Sequence, residues 1–263
     1  MDLNTLKLTR PAPGVAQVTM VRPAVFNAFD EQMIEELDAT IRALGQADDV
    51  RVIVLAGEGK AFSAGADLQW MQRAASAGFE QNLADGRRFA TMFQTLDTCP
   101  KPTVAKVQGL ALGGGVGLTC ACDIAIASDA ARFAVSEAKF GILPSGIGPY
   151  LINAVGKRQA RRLALTTQRI DAHEALAIGL VQQVVPAEEL DAAVDAVVKE
   201  LLAGGPRAQA EIKALYAQLE VGPVTPEVLE LTAQTISRVR SGDEAREGFD
   251  AFLSKRPANW IPQ

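Results

Sequence analysis

Two short stretches of alternating apolar and polar residues, Thr5 to Thr9 and Val15 to Val21, flank a Pro/Gly turn and predict a β-hairpin. Asp30 then stands ahead of Met33, Ile34, Leu37, Ile41 and Leu44, which fall on one face of a helix with a capping residue in front. The run VRVIVLAG from Val50 is continuously apolar and predicts a buried strand. The order recurs with a helix near Leu83 to Leu96, a strand at Thr103 to Val107, a short helix after a run of glycines, and a strand at Ile124 to Ala127. Such alternation predicts an α/β fold with parallel crossovers. After about Leu190 the strand patterns stop. Three helical patterns follow, on Leu190/Val194/Val197/Leu201, Ile212/Leu215/Leu219 and Leu229/Thr232/Ile236/Val239, punctuated by Gly204-Gly205-Pro206 and Gly222-Pro223. The predicted organisation is an α/β core over 1–190 and a helical region over 191–263, with no internal repeat. Apolar faces on the helical part predict self-association.

Composition narrows the range of functions. With 263 residues, 48% hydrophobic and 22% charged, the chain can bury a large core. A net charge of -5 argues against a nucleic-acid surface and for a small partner, since a small anionic ligand needs only a few well-placed cations. The three cysteines, Cys99, Cys120 and Cys122, have neither paired nor metal-ligand spacing, and MDLNTLKLTR lacks an apolar signal core. A reduced cytoplasm is expected. No apolar run approaches the ~18 residues of a membrane span.

The stretch GLALGGGVGLTCACDIAIAS carries the chemistry of interest. It lacks the Lys-Ser/Thr of a phosphate loop, and the third glycine of a dinucleotide fingerprint would fall on Leu118. Two readings remain. The glycines either expose N–H donors at a helix start, as an oxyanion hole requires, or allow close helix–strand packing. A second stretch, KAFSAGADLQWM, puts Ala64, Gly65 and Ala66 after a buried strand and ahead of another helix, so two loops could offer two N–H groups to one oxygen. Proton transfer falls to Glu137 in RFAVSEAKFGILPSGIG, where Ala134, Val135, Phe140, Ile142 and Leu143 predict partial burial and a raised pKa.

Other residues read as structural. His173 belongs to a helix start capped by Asp171, Asp67 fits a helix cap, and Asp123 orders a core turn. Ser63, Ser136 and Ser145 have no histidine partner by spacing. Cys120 and Cys122 read as packing residues. Trp70 and Met71 read as acyl-pocket wall or core, and Tyr150 as a hydroxyl donor near the Glu137 loop.

Together, AFSAGADLQWM, GLALGGGVGLTCACDIAIAS, ARFAVSEAKFGILPSGIG and GDEAREGFDAFLSKRPANW resemble the enoyl-CoA hydratase/isomerase family, the crotonases, from VRPAVFNAFD to the end. The resemblance implies a repeated ββα spiral with a helical C-terminal region that builds trimers, often hexamers. It implies an acyl-CoA thioester substrate whose carbonyl oxygen is held by the N–H groups of Ala66 and Gly114, with Glu137 as acid/base. The implied binding set adds Ala64 near the CoA adenine, Arg22 or Lys60 at the phosphates, and Asp67, Leu68, Trp70, Gly113 and Gly117. No metal or redox cofactor is implied, coenzyme A being part of the substrate. Two-glutamate hydratases carry their first glutamate where this sequence has Gly117, which leaves hydration and double-bond isomerisation both open, beside a catalytically silent acyl-CoA binder. A narrower likeness, in GADLQWM, GGGVGL, SEAKFGILPS and GPYLINAVGKRQARRLALT, is to the 3-methylglutaconyl-CoA and carboxygeranoyl-CoA hydratases of leucine and terpene catabolism. Their substrates carry a second carboxylate, and the expectation is that Gly117 leaves room for it or for a water.

Overall fold

The computed structural model describes residues 3–261. The hairpin pairs β1 (Leu6–Thr9) antiparallel with β2 (Gly14–Met20). Asp30 caps α1 (Glu31–Gln46), its carboxylate accepting from the Met33 N–H at 2.9 Å. Three ββα turns follow: β3 (Val50–Gly57) and β4 (Ala61–Ser63) lead to α2 (Leu68–Ser76) and α3 (Phe79–Asp97); β5 (Thr103–Val107) and β6 (Leu110–Leu112) lead to α4 (Gly114–Ala121); β7 (Ile124–Ser128) and β8 (Arg132–Ala134) lead to α5 (Gly148–Thr166). After β9 (Ile170–Asp171), α6 (Ala172–Ala177) and β10 (Gln183–Val185), the chain continues as α7 (Leu190–Ala203), α8 (Pro206–Tyr216), α9 (Pro226–Arg240) and α10 (Asp243–Leu253).

The first strand of each turn enters one sheet and the second strand another. The sheets run β1-β2-β3-β5-β7-β10 and β4-β6-β8-β9, parallel except at β1–β2 and β8–β9. Strand periodicity explains the burial: Val52 and Val54 of β3 join Val15, Val104 and Ile126 against α7, while Ile53 and Leu55 point to the opposite face and the main core. This is the ββα architecture the sequence implies.

The structure refines three readings. The three-residue strands β4, β6 and β8 and the two-residue β9 are too short for a periodic signature. The helical region holds a fourth helix, α10, beyond the three patterns, and Leu219 lies past the end of α8. The division at residue 190 falls at the start of α7, which itself packs on the six-stranded sheet through Leu190, Ala193, Val194 and Val198. Of α8, α9 and α10, only α10 contributes a fully buried side chain, Ala251. Among the described residues no helix is long and apolar enough to cross a membrane.

Candidate active site

The loop after β4 is strapped to the segment before α1. Ala64 N–H donates to Phe26 O (2.9 Å), Phe29 N–H to Gly65 O (2.7 Å) and Asp67 N–H to Phe29 O (2.8 Å). Ser63 Oγ donates to Asn27 O (2.8 Å) and accepts from Gly65 N–H (3.2 Å). These bonds use every N–H around the bend except that of Ala66, which has no acceptor among the described residues. Asn27 anchors the strap. It is fully buried at φ 55°, accepts from Arg22 N–H and donates to Glu58 O and Ala61 O. Asparagine tolerates the left-handed region, yet nothing in FNAFD alone announces that role.

The second loop meets the first. Gly113 bends at φ 49°, ψ -115°, its N–H donating to Ala134 O (2.8 Å), and α4 begins at Gly114, whose N–H is one of the donors a helix start leaves unpaired. A Cβ on Gly65 would lie 2.6 Å from Leu112 O and 3.1 Å from Gly114 N, so the two loops are in direct contact. A Cβ on Gly113 would lie 3.2 Å from Glu137 Oε1. The carboxylate thus sits beside the start of α4. Glu137 Oε2 is enclosed without a hydrogen-bond partner among the described residues, and burial pushes the Glu137 pKa up. The structure therefore gathers the Ala66 and Gly114 N–H groups and the Glu137 carboxylate in one place.

Both readings of the glycine run hold, at different positions. Gly113 adopts a backbone conformation that side chains resist. A Cβ on Gly114 would overlap Phe29 Cε2 and lie 3.2 Å from Phe89 Cζ, and one on Gly115 would overlap Ser63 O. Those two are glycines for packing as well as for access. The rings form a wall: Phe89 lies 6.0 Å from Phe29, 5.9 Å from Trp70 and 4.9 Å from Phe93, and Phe93 lies 5.7 Å from Tyr150.

Several expectations need correction. Gly117 opens no space, because a Cβ there would overlap Ile147 Cγ2 and lie 2.8 Å from Phe93 Cε1 and Cζ. Hydrocarbon fills the position, which excludes a substrate carboxylate or a water. Arg22 is not free for phosphates: its guanidinium bridges Asp30 (3.0 Å) and Asp67 (3.2 Å) and donates to Ala28 O (2.5 Å). Asp67 caps α2 by accepting from Gln69 and Trp70 N–H, so it shapes the loop instead of lining a pocket. Phe140, Ile142 and Leu143 are exposed, and of the neighbours expected to bury Glu137 only Ala134 and Val135 are buried.

Leu68 and Lys60 are exposed, whereas Ala64 and Trp70 are partly buried. His173 is exposed on α6, where Asp171 supplies the cap. Asp123 accepts from Thr103 N–H and Oγ1 and pairs with Lys213 at 2.7 Å, tying β5, β7 and α8 together. The three thiols are unpaired, and burial pushes that of Cys120 up to about 12. Among the described residues no group of three or more His, Cys, Asp and Glu side chains could hold a metal ion.

A sequence profile of the enoyl-CoA hydratase/isomerase family matches residues 10–263. The chain belongs to that family. Its α/β fold superimposes on the crystal structure of an enoyl-CoA hydratase from Shewanella pealeana with a TM-score of 0.94, at 41% identity over 98% of this chain and 96% of that one. Pseudomonas aeruginosa AtuE matches with a TM-score of 0.93 at 37% identity, over 98% of this chain and all of the other. The short-chain-enoyl-CoA hydratase of Clostridium acetobutylicum is 33% identical over 97% of each chain. The protein is an enzyme of the hydratase/isomerase family.

Proposed function

We propose that this enzyme hydrates a 2-enoyl-CoA thioester to a 3-hydroxyacyl-CoA, using Glu137 as its only carboxylate acid/base. The observation that carries the reading is the enclosed, unpartnered Glu137 Oε2 beside a helix start that offers a free N–H. Ionised Glu137 takes a proton from water as the water oxygen bonds to C3 of the C2=C3 bond. The electron pair moves to the thioester oxygen, where the Ala66 and Gly114 N–H groups and the α4 dipole stabilise the enolate. The same proton then passes from Glu137 to C2 as the enolate collapses, so that water adds across the double bond and Glu137 is regenerated. The resemblance favours a branched substrate with a second carboxylate, 3-methylglutaconyl-CoA being the leading choice.

A second reading, isomerisation of a 3-enoyl-CoA, is favoured by the Gly117 side of the site: Phe93 and Ile147 leave no polar group there to hold water. In that case Glu137 carries a proton between two carbons. Neither reaction needs a metal or redox cofactor. Exposed Ile236, Phe249 and Phe252 around an approximately 780 Å³ groove between α8, α9 and α10 support a homotrimer or homohexamer, and the free thiols support a reducing cytoplasm. Exposed Lys60 remains the proposed cation for the CoA phosphates.

The test is a mass-spectrometric assay of wild type and Glu137→Gln on crotonyl-CoA, 3-methylglutaconyl-CoA and a 3-enoyl-CoA. Gain of one water by either 2-enoyl substrate, lost in the variant, is the expected result, and water gain by the branched acid would assign the substrate class. Double-bond migration without water gain would move the assignment to isomerase. No turnover of any of the three would favour a silent binder.

A further inference from the structure

We infer that Arg22 is a positioning residue for the first oxyanion donor, its guanidinium fixing the loop that presents the Ala66 N–H without itself touching substrate. The inference rests on the oxyanion-hole reading above. Ala66 lies opposite Phe29 in an isolated parallel bridge outside both sheets. Phe29 N–H donates to Gly65 O at 2.7 Å and Asp67 N–H to Phe29 O at 2.8 Å, so both bonds of the bridge come from the neighbours of Ala66. In a parallel pairing the residue between those neighbours turns its own N–H away from the partner strand. The direction of the donor is therefore set by how the two segments lie against each other. Upstream of Ala66, the bonds of Ala64 and Ser63 to Phe26 and Asn27 reinforce the bridge. Downstream of Asp67, no further backbone bond among the described residues joins the two segments, and the Arg73–Glu31 pair farther along α2 is exposed to solvent.

Arg22 supplies the missing link. Asp30 follows Phe29 and caps α1, and Asp67 follows Ala66 and caps α2, each through its Oδ1. Their Oδ2 atoms both face Arg22 Nη2, at 3.0 Å and 3.2 Å, while Arg22 Nη1 donates to Ala28 O at 2.5 Å. One guanidinium thus grips the residues on either side of Phe29 and the residue after Ala66. Without it, two partly enclosed carboxylates would face each other one residue from the donor, and their repulsion would push the segments apart. Arg22 is itself held: its N–H donates to Asn27 Oδ1 and its C=O accepts from Asn27 N–H, both at 2.9 Å. A planar fork serves three acceptors at once, which a lysine ammonium on its flexible stem does not reproduce.

The experiment compares wild type with Arg22→Gln and with Arg22→Lys, the second keeping a cation between the carboxylates should the first not fold. Steady-state kinetics on the substrate turned over in the assay above are combined with infrared spectra of bound, unreactive butyryl-CoA carrying carbon-13 at the thioester carbonyl. Wild type is expected to lower the carbonyl stretching frequency on binding, because two donors polarise the bond. Arg22→Gln is expected to lose about 10–100-fold in kcat with KM within about threefold, and to show a smaller carbonyl shift. Arg22→Lys is expected to fall between the two on both readings. A lower Tm with kcat and the carbonyl shift unchanged would reduce Arg22 to a fold-stabilising pair and overturn the assignment. So would a rise in KM alone, which would return Arg22 to the CoA phosphates, or an Arg22→Lys variant equal to wild type, which would leave only its charge. If bound butyryl-CoA shows no carbonyl shift in wild type, the oxyanion-hole reading itself fails and takes this inference with it.

Discussion

The two ends of one short helix put glycine to opposite uses. At the start of α4, Gly113 and Gly114 leave a backbone N–H without a partner and a carboxylate within 3.2 Å of the missing Cβ. One turn later Gly117 leaves space that Ile147 and Phe93 occupy completely, both of them buried. The first position combines unpaired donors with the positive end of the helix dipole, which in the proposed mechanism would stabilise a developing enolate. The second lies inside the helix, where N–H groups are bonded and the neighbours are hydrocarbon. The proposed charge chemistry is thus confined to one end of α4. A glycine run in sequence does not distinguish a glycine that exposes backbone from one that admits a neighbour's side chain.

The largest effect should come from removing the group that faces the polar end. Glu137→Gln is expected to lower kcat by 10²–10⁴-fold, the range for loss of a positioned acid/base. Stability should move the other way. Burial raises the Glu137 pKa, so the folded state prefers the protonated form. Its contribution to stability is complete below the ordinary carboxylate range and is lost as pH rises through the raised value. Gln carries no charge to desolvate. The variant should therefore have a higher Tm than wild type at neutral pH, with the gap closing as the pH falls through the raised pKa. Thermal melts across pH check this, and a variant no more stable at neutral pH would show that the carboxylate is solvated. For wild type, kcat/KM should fall on the acid side at a pH above the ordinary carboxylate range.

Next come the two glycines at the start of α4. Gly114→Ala puts a methyl group into the Phe29 ring and displaces the N–H it carries, and a loss of about 10²-fold in kcat is expected from a misplaced oxyanion donor. Gly113→Ala imposes strain at φ 49° and pushes on Glu137 Oε1 from 3.2 Å. A smaller loss, roughly tenfold, is expected from the displaced carboxylate. Steady-state kinetics separates the two, since both should reduce kcat more than they raise KM.

Much of this was legible in sequence, and the reason lies in what is local. The Asp30 cap, the VRVIVLAG strand and the small residues after a strand at Ala64 and Gly113 all follow from neighbours within a few residues, whereas the shelter of Glu137 comes partly from Gly113, 24 positions away. Arg22 could not be read this way, because what neutralises it includes Asp67, 45 positions along the chain. Nor could Gly117, whose surroundings come from α3 and from the residue preceding α5. Trp70 is the subtlest case. Its pattern position fits a wall residue, but the missing acceptor for its N–H emerges only once every neighbour is in place.

The smallest effect on turnover belongs to Gly117→Ala, and it sharpens the contrast most. Alanine gains about 1 kcal/mol of helix propensity over glycine. Against this, its methyl group would overlap Ile147 Cγ2 and stand 2.8 Å from two atoms of the Phe93 ring. That ring cannot swing aside easily, being held between Phe89 at 4.9 Å and Tyr150 at 5.7 Å. Overpacking of this kind costs about 1–3 kcal/mol, so a net loss of up to about 2 kcal/mol is expected, which chemical denaturation can read. Because no reacting group touches Gly117, kcat should stay within about threefold of wild type. Ile147→Ala alone should destabilise by leaving a cavity, whereas the double variant should be less destabilised than the sum of the two, since each change relieves the other. Additive losses would mean that the methyl group is accommodated by Phe93 instead. A large fall in kcat with stability intact would place the chemistry at the middle of α4 as well as at its start.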